Sequence, residues 1–147
     1  MAKFNNYTTT GAATSSAQFP DADFFLLRAA EAYLTYAEAQ ARQSGGTATG
    51  DAANAINALR NRANATTKDS YTLDEICDEW CREFYYEGRR RMDLIRFGKF
   101  GGNSDYTWQW KGGSYAGRNF EEYRNLFAIP TTDLTANPNL VQNNGYK

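Results

Sequence analysis

The chain has 147 residues, enough for one domain with a real core and short for two. Sixteen basic residues stand against seventeen acidic ones, and a net charge of −1 gives little electrostatic reach toward nucleic acid or anionic lipid. The sequence contains no histidine, which removes the commonest general base, the base of a catalytic triad and the commonest zinc ligand. Catalysis would have to rest on carboxylates, lysine or tyrosine.

The start, MAKFNNYTTTGAATSSAQFP, has no apolar run and no cleavage pattern, so it reads as neither a signal peptide nor a membrane span. Residues 1–23 are rich in Thr, Ser, Asn and Ala without a period and are expected to be irregular. Regular structure is expected from Phe24. Leu27, Ala30, Leu34, Ala37 and Ala41 recur at steps of 3 and 4, the stripe of an amphipathic helix whose alanines permit close packing. SGGTATG (44–50) then stops it with flexible backbone. A second helix is expected from Asp51 as N-cap, with Ala52, Ile56, Leu59 and Ala63 on one face, so the pair forms an antiparallel hairpin resembling tetratricopeptide packing.

Thr72-Leu73-Asp74-Glu75 spells a capping box, with Tyr71 and Ile76 placed to close a hydrophobic staple. The stripe Leu73, Ile76, Trp80, Phe84, Gly88, Met92, Ile95 keeps helical phase, which predicts one long third helix, continuous or kinked at Gly88, with Gly98 as a left-handed cap. Cys77 and Cys81 sit one turn apart on it, where disulfide geometry is hard to meet and further zinc ligands are lacking; they read as small apolar core residues. From Gly101 to Asn125 the helical period gives way to Gly, Asn and aromatics, a loop in which Trp108 and Trp110 alternate as a strand would. LFAIPTTDL can begin a short helix capped by Thr131 or Thr132, and Asn137-Pro138 and Asn144-Gly145 mark turns near the end. The fold class is mainly α: a helix hairpin, a long third helix and loop-rich segments at both ends.

The stretch EFYYEGRRRMDLIRFG concentrates charge. Glu79, Glu83 and Glu87 stack at i, i+4 and i+8, with Arg82, Arg90 and Arg91 near enough to reach them. Paired carboxylates can cleave a glycosidic bond, but that chemistry needs groups on opposite sides of it, whereas one helix face points one way. Arg89-Arg90-Arg91 is interleaved with acids, against a nucleic-acid patch. Internal pairing through bidentate arginine forks is the favoured reading.

In order along the chain, RAAEAYLTYAEAQ, AINALRNRA, DEWCREFYYEGRRRMDLIRFGKF, YTWQWKGG and LFAIPTTDLTANPNLVQNNGY resemble the closing part of the SusD/RagB family, the surface glycan-binding lipoproteins of Bacteroidetes. The match runs from Phe24 to Tyr146, so 24–147 is expected to be a SusD-like C-terminal helical domain and the chain part of a longer protein. Family members begin with a lipoprotein signal and its lipid-bearing cysteine, which this sequence does not contain, so contact with membrane is expected only through that anchor. One departure is that Glu79-Trp80-Cys81-Arg82 stands where the family usually has Glu-Arg ahead of Glu-Phe, which changes the salt-bridge partners.

The resemblance implies a protein that is not an enzyme, needs no cofactor or metal, binds no nucleic acid, and holds oligosaccharide at the outer-membrane surface for delivery to a SusC-like TonB-dependent transporter. It also implies a structural ion-pair cluster of Arg28, Glu31, Glu83, Glu87, Arg90, Arg91, Asp93 and Arg96. Local chemistry offers Tyr106, Trp108, Trp110 and Tyr115 as glycan-stacking rings among Asn103, Asp105, Gln109, Lys111 and Arg118, although the favoured alternative is that these rings plug the flank of the helical core. The competing function is a helical protein-protein adaptor that binds no sugar.

Overall fold

The computed structural model describes residues 5–19, 21–102 and 104–146. They divide into two compact units, Met1–Gly88 and Arg89–Lys147, and are mainly helical. Among the described residues no helix is long and apolar enough to cross a membrane.

The first unit opens with a small turn in which Tyr7 and Ala13 form an antiparallel bridge. Ser15 donates through both its hydroxyl and its backbone N–H to Asp21, holding that carboxyl below the usual range. Helix α1 spans Ala29–Gln43 and α2 spans Asp51–Arg62. Leu34, Ala37, Ala41, Ala52 and Ile56 are all buried, as alanine-to-alanine helix packing allows. Leu27 departs from its expected place on the stripe: α1 starts two residues later, and Leu27 is 85% exposed, at the end of an open run that includes Phe24, Phe25 and Leu26. Ala63 is likewise exposed, as the residue closing α2, and Gly50, with φ 55°, occupies the cap position expected of Asp51.

The segment after α1 is more than a flexible stop. Thr47–Thr49 (β1) pairs antiparallel with Ser70–Thr72 (β2), setting Ala48 opposite Tyr71. Both are buried, and the Tyr71 hydroxyl donates to Asn57 of α2 at 2.6 Å. Three-residue strands are too short to show a period of two, so the sequence pattern does not expose them.

Helix α3 spans Leu73–Glu83 and starts with the complete capping box: Thr72 Oγ accepts from the Glu75 N–H, and Glu75 accepts from the Thr72 N–H. It buries Ile76, Cys77 and Trp80, with Tyr71 buried just before it. The third helix ends there instead of running on. Phe84, Tyr85, Tyr86 and Gly88 are weak helix formers, and Tyr86 (φ 62°) and Gly88 (φ 75°) turn the chain through left-handed backbone. The apolar phase spans that break without reflecting a continuous backbone.

In the second unit, α4 spans Arg90–Arg96 and closes on Gly98 (φ 68°), whose N–H bonds the Ile95 carbonyl while the Lys99 N–H bonds that of Leu94, a Schellman motif. Asn64 does the same after α2, with the Ala65 N–H on the Arg60 carbonyl. Met92 is exposed and Ile95 half-buried, while Leu94 is the buried apolar residue of α4. Helix α5, Thr131–Ala136, follows Pro130, and neither Thr131 nor Thr132 caps it. The tail is strapped back by side chains. Gln142 bonds both the N–H and the carbonyl of Ile129 at 2.9 Å, Asn143 donates to the Phe127 carbonyl, and the Tyr146 hydroxyl donates to that of Leu126. A Cβ on Gly145 would lie 2.3 Å from the Tyr123 ring, so glycine is required beside the Tyr123–Tyr146 pair.

The bond from Lys68 and that from the Thr72 N–H, against some desolvation, hold the Glu75 carboxyl below the usual glutamate value. Its contribution is therefore whole above the ordinary pKa of 4.5 and fades as pH falls through the depressed folded value. Thr72→Ala should cost about 1 kcal/mol in urea unfolding, and Glu75→Gln should flatten the loss of stability below pH 4.5.

Candidate functional site

The charged stretch resolves into separate, internally neutralised knots. In the first unit Arg28, just ahead of α1, forks onto Glu87: Nε and Nη2 each donate at 2.8 Å to one carboxylate oxygen. Nη1 donates to Glu83 at 2.7 Å and Nη2 also reaches the Glu83 carbonyl at 2.9 Å. The guanidinium lies 4.2 Å from the Phe84 ring centre. Burial works against its charge, but the bonds from Glu87 and Glu83 outweigh that and raise the Arg28 pKa. Glu83 accepts a second arginine, Arg62 of α2. Glu79 takes Arg60 at 2.6 Å and Arg82 at 2.7 Å. Glu38, also buried, accepts from the Trp80 indole at 2.9 Å and from Arg42. Glu31 lies half-buried in the first turn of α1.

In the second unit Asp93, fully buried, is held by Arg89 at 3.2 Å and Arg96 at 2.9 Å. Arg90 donates to the Tyr106 hydroxyl at 2.6 Å. Arg91 takes a different role from the one expected of it. It donates to the carbonyls of Arg124 and Asn125, and its guanidinium stacks 3.8 Å from the Phe127 ring centre and 5.0 Å from that of Phe100. The eight residues expected to form one cluster are thus distributed: Arg28 meets Glu83 and Glu87, Asp93 meets Arg96, and Arg91 serves the loop backbone. Sequence reasoning passed over Arg60, Arg62, Arg89 and Glu38 as knot members, though AINALRNRA already carried two of them at i, i+2.

The aromatic loop is built around residues 106–120. It forms no strand. A 3-10 turn at Lys111–Gly113 places Trp110 in left-handed backbone at φ 68°, and a return bond joins the Arg118 N–H to the Lys111 carbonyl. A Cβ on Gly117 would lie 2.4 Å from the Trp108 carbonyl, so the two arms meet where only glycine fits. Tyr106 is half-buried and edge-on to Trp108. Trp110 and Tyr115, 65% and 63% exposed, form an edge-on pair with ring centres 5.6 Å apart, and Gln109 donates to the Tyr115 hydroxyl. Trp108 is also 43% exposed. Lys111 is not available to a ligand: its side chain is buried, and burial lowers its pKa. Asn103 lies outside the described residues. Among the described residues no group of acidic or cysteine side chains is arranged to hold a metal ion.

Concavities are also present in the first unit. One, about 420 Å³, is lined by charged groups already engaged, including Arg60, Glu79, Arg82 and Glu83. Another is an open apolar groove of about 480 Å³ on α1 and α2, lined by Ala32, Tyr33, Tyr36, Asp51, Asn54 and Ala55.

The sequence model of the SusD family matches residues 1–146. The starch-binding protein SusD of Bacteroides thetaiotaomicron is 52% identical over the whole of this chain, which spans 26% of that protein. Surface glycan-binding protein A from Bacteroides uniformis superposes with a TM-score of 0.65 at 28% identity over 82% of this chain and 27% of its own. A SusD superfamily protein from Parabacteroides distasonis gives 0.67 at 24% identity over 90% and 29%. The chain therefore spans little more than a quarter of the relatives it matches.

Replacing Glu83 by Gln leaves Arg28 and Arg62 short of a charge partner, and should lower unfolding free energy by about 2 kcal/mol, read from the urea midpoint. Gly117→Ala should disturb only the second unit, because the clash is with its own loop.

Proposed function

The chain belongs to the SusD family, and from that premise we propose that it is the scaffold portion of a non-catalytic protein that binds oligosaccharide at the bacterial cell surface. The observation that carries this reading is the Trp110–Tyr115 pair, two large rings held open on a loop whose backbone is constrained at the tryptophan itself. A non-glycine residue in left-handed backbone carries a cost that the surrounding contacts must sustain, and such positions cluster at ligand clamps. A ring face of this kind stacks on the C–H face of a pyranose, while Gln109 and the Tyr115 hydroxyl supply polar partners for its hydroxyls. Sites so shallow and wet bind weakly. The names of the relatives, starch-binding and surface glycan-binding, support saccharide as the ligand and starch as the first to test.

Catalysis is unsupported by the carboxylates. Glu79, Glu83 and Asp93 each engage two arginines, and Glu87 receives the fork of Arg28, so none is poised as a proton donor or nucleophile beside an open ring. On the same reading the protein sits at the outer-membrane surface and hands its ligand to a SusC-like TonB-dependent transporter, a role that the family membership supports. The groove bearing Tyr33 and Tyr36 favours a second reading, in which the hairpin docks a protein helix and the chain binds no sugar.

Affinity electrophoresis in gels containing soluble starch separates the two. Retardation of the chain is expected, with Trp110→Ala weakening it about tenfold, the loss of one stacked ring at roughly 25 cal/mol per Å² less ordering costs. Migration identical to that in plain gel, with and without the substitution, would favour the adaptor. Release of reducing sugar from starch would contradict the non-catalytic assignment.

A further inference from the structure

The WKGG turn contains a lysine in an unusual setting. Lys111 is 1% exposed, whereas lysine is almost never fully buried unless paired. Among the described residues no carboxylate pairs with it. Its ammonium donates to the Tyr106 carbonyl at 2.7 Å and lies 5.0 Å from the Trp108 ring centre and 5.4 Å from that of Phe120. Further cations face two of these residues: Lys99 and Arg90 lie over Tyr106, and Arg124 over Phe120. A neutral residue would be easier to bury here, so the retained cation must contribute something an apolar side chain of the same length does not. It makes three contacts at once, to a carbonyl and a ring on the incoming arm of the loop and to a ring on the returning arm.

We propose that Lys111 is the positioning residue of the aromatic face: its buried ammonium ties Tyr106, Trp108 and Phe120 together and thereby fixes the turn that aims Trp110 and Tyr115 outward as a saccharide platform. The role of the two rings rests on the function proposed above, whereas the role of Lys111 in holding them does not. Lys111 sits at the start of the turn, and its backbone closes both arms, with its N–H on the Trp108 carbonyl at 3.1 Å and its carbonyl receiving the Arg118 N–H at 3.1 Å. The Gly113 N–H bonds the Trp110 carbonyl at 3.0 Å, and the Trp110 N–H bonds that of Tyr115. Displacing the ammonium therefore acts on the backbone that carries the exposed pair. Lysine at this position orients the sugar-contacting rings and does not itself contact sugar hydroxyls.

The test is Lys111→Met in the full chain, read by the indole N–H signals of the three tryptophans in a proton–nitrogen correlation spectrum and by starch affinity electrophoresis. Trp80, bonded to Glu38 in the first unit, is the internal reference. The expected result is displaced or broadened Trp108 and Trp110 signals, an unchanged Trp80 signal, intact ring contacts of Tyr123 with Tyr146, and at least tenfold weaker starch retardation. Indole signals at their original positions would overturn the proposal whatever the starch result. Loss of the Tyr123–Tyr146 contact would also overturn it, because Lys111 would then support the whole unit and not the loop. Displaced indoles in a chain whose parent never binds starch would sustain the positioning role and refute the saccharide reading alone.

Discussion

The fork of Arg28 is the constraint from which the first unit takes its form. One guanidinium joins the segment before α1 to a carboxylate on the last residue of α3, to the carbonyl of that same residue, and to a second carboxylate in the turn beyond, above the ring of Phe84. Arg62 reaches the same Glu83 from α2, so three parts of the unit converge on one acid. A knot of this kind contributes little net free energy over a well-packed apolar equivalent, since desolvation offsets most of the attraction. What it imposes is asymmetry: any chain path that leaves one partner behind strands a charge in a half-buried site, at a cost of several kcal/mol. The knot thus selects among arrangements of alanine-rich helices whose small side chains would otherwise pack in more than one register.

The same logic recurs along the chain. Glu38 links Trp80 to α1, Glu79 links α2 to α3, and Asp93 is enclosed by Arg96 of its own helix and by Arg89 at that helix's N-cap. Among the described residues no buried side-chain nitrogen or oxygen lacks a partner. Acids so fully engaged give structure in place of reactivity.

Sequence signals were readable where geometry is local. Thr72 with Glu75, and Gly98 after Leu94, follow from backbone donors and acceptors within one turn, so residue identity alone determines them. The helix hairpin was visible for a similar reason, its alanine stripe having one period. Three features were hidden. The apolar phase carried the third helix across Phe84 to Gly88 because counting positions ignores the weak helix propensity of that run. The β1–β2 pair is held by a register between residues more than twenty apart, which no short window contains. The roles of Arg91 and Lys111 depend on carbonyls and ring faces brought together by loop closure, and a sequence marks neither. For the candidate aromatic site, the residue types were legible, and which of them face outward was not.

A double-mutant cycle between Arg28→Met and Glu87→Gln, measured by urea unfolding of the full chain, tests most directly whether the ionic knot is architecture. The expected coupling is about 2 kcal/mol, with the double variant much less destabilised than the sum of the single ones. Coupling near zero, with both single variants as stable as the parent, would contradict the account.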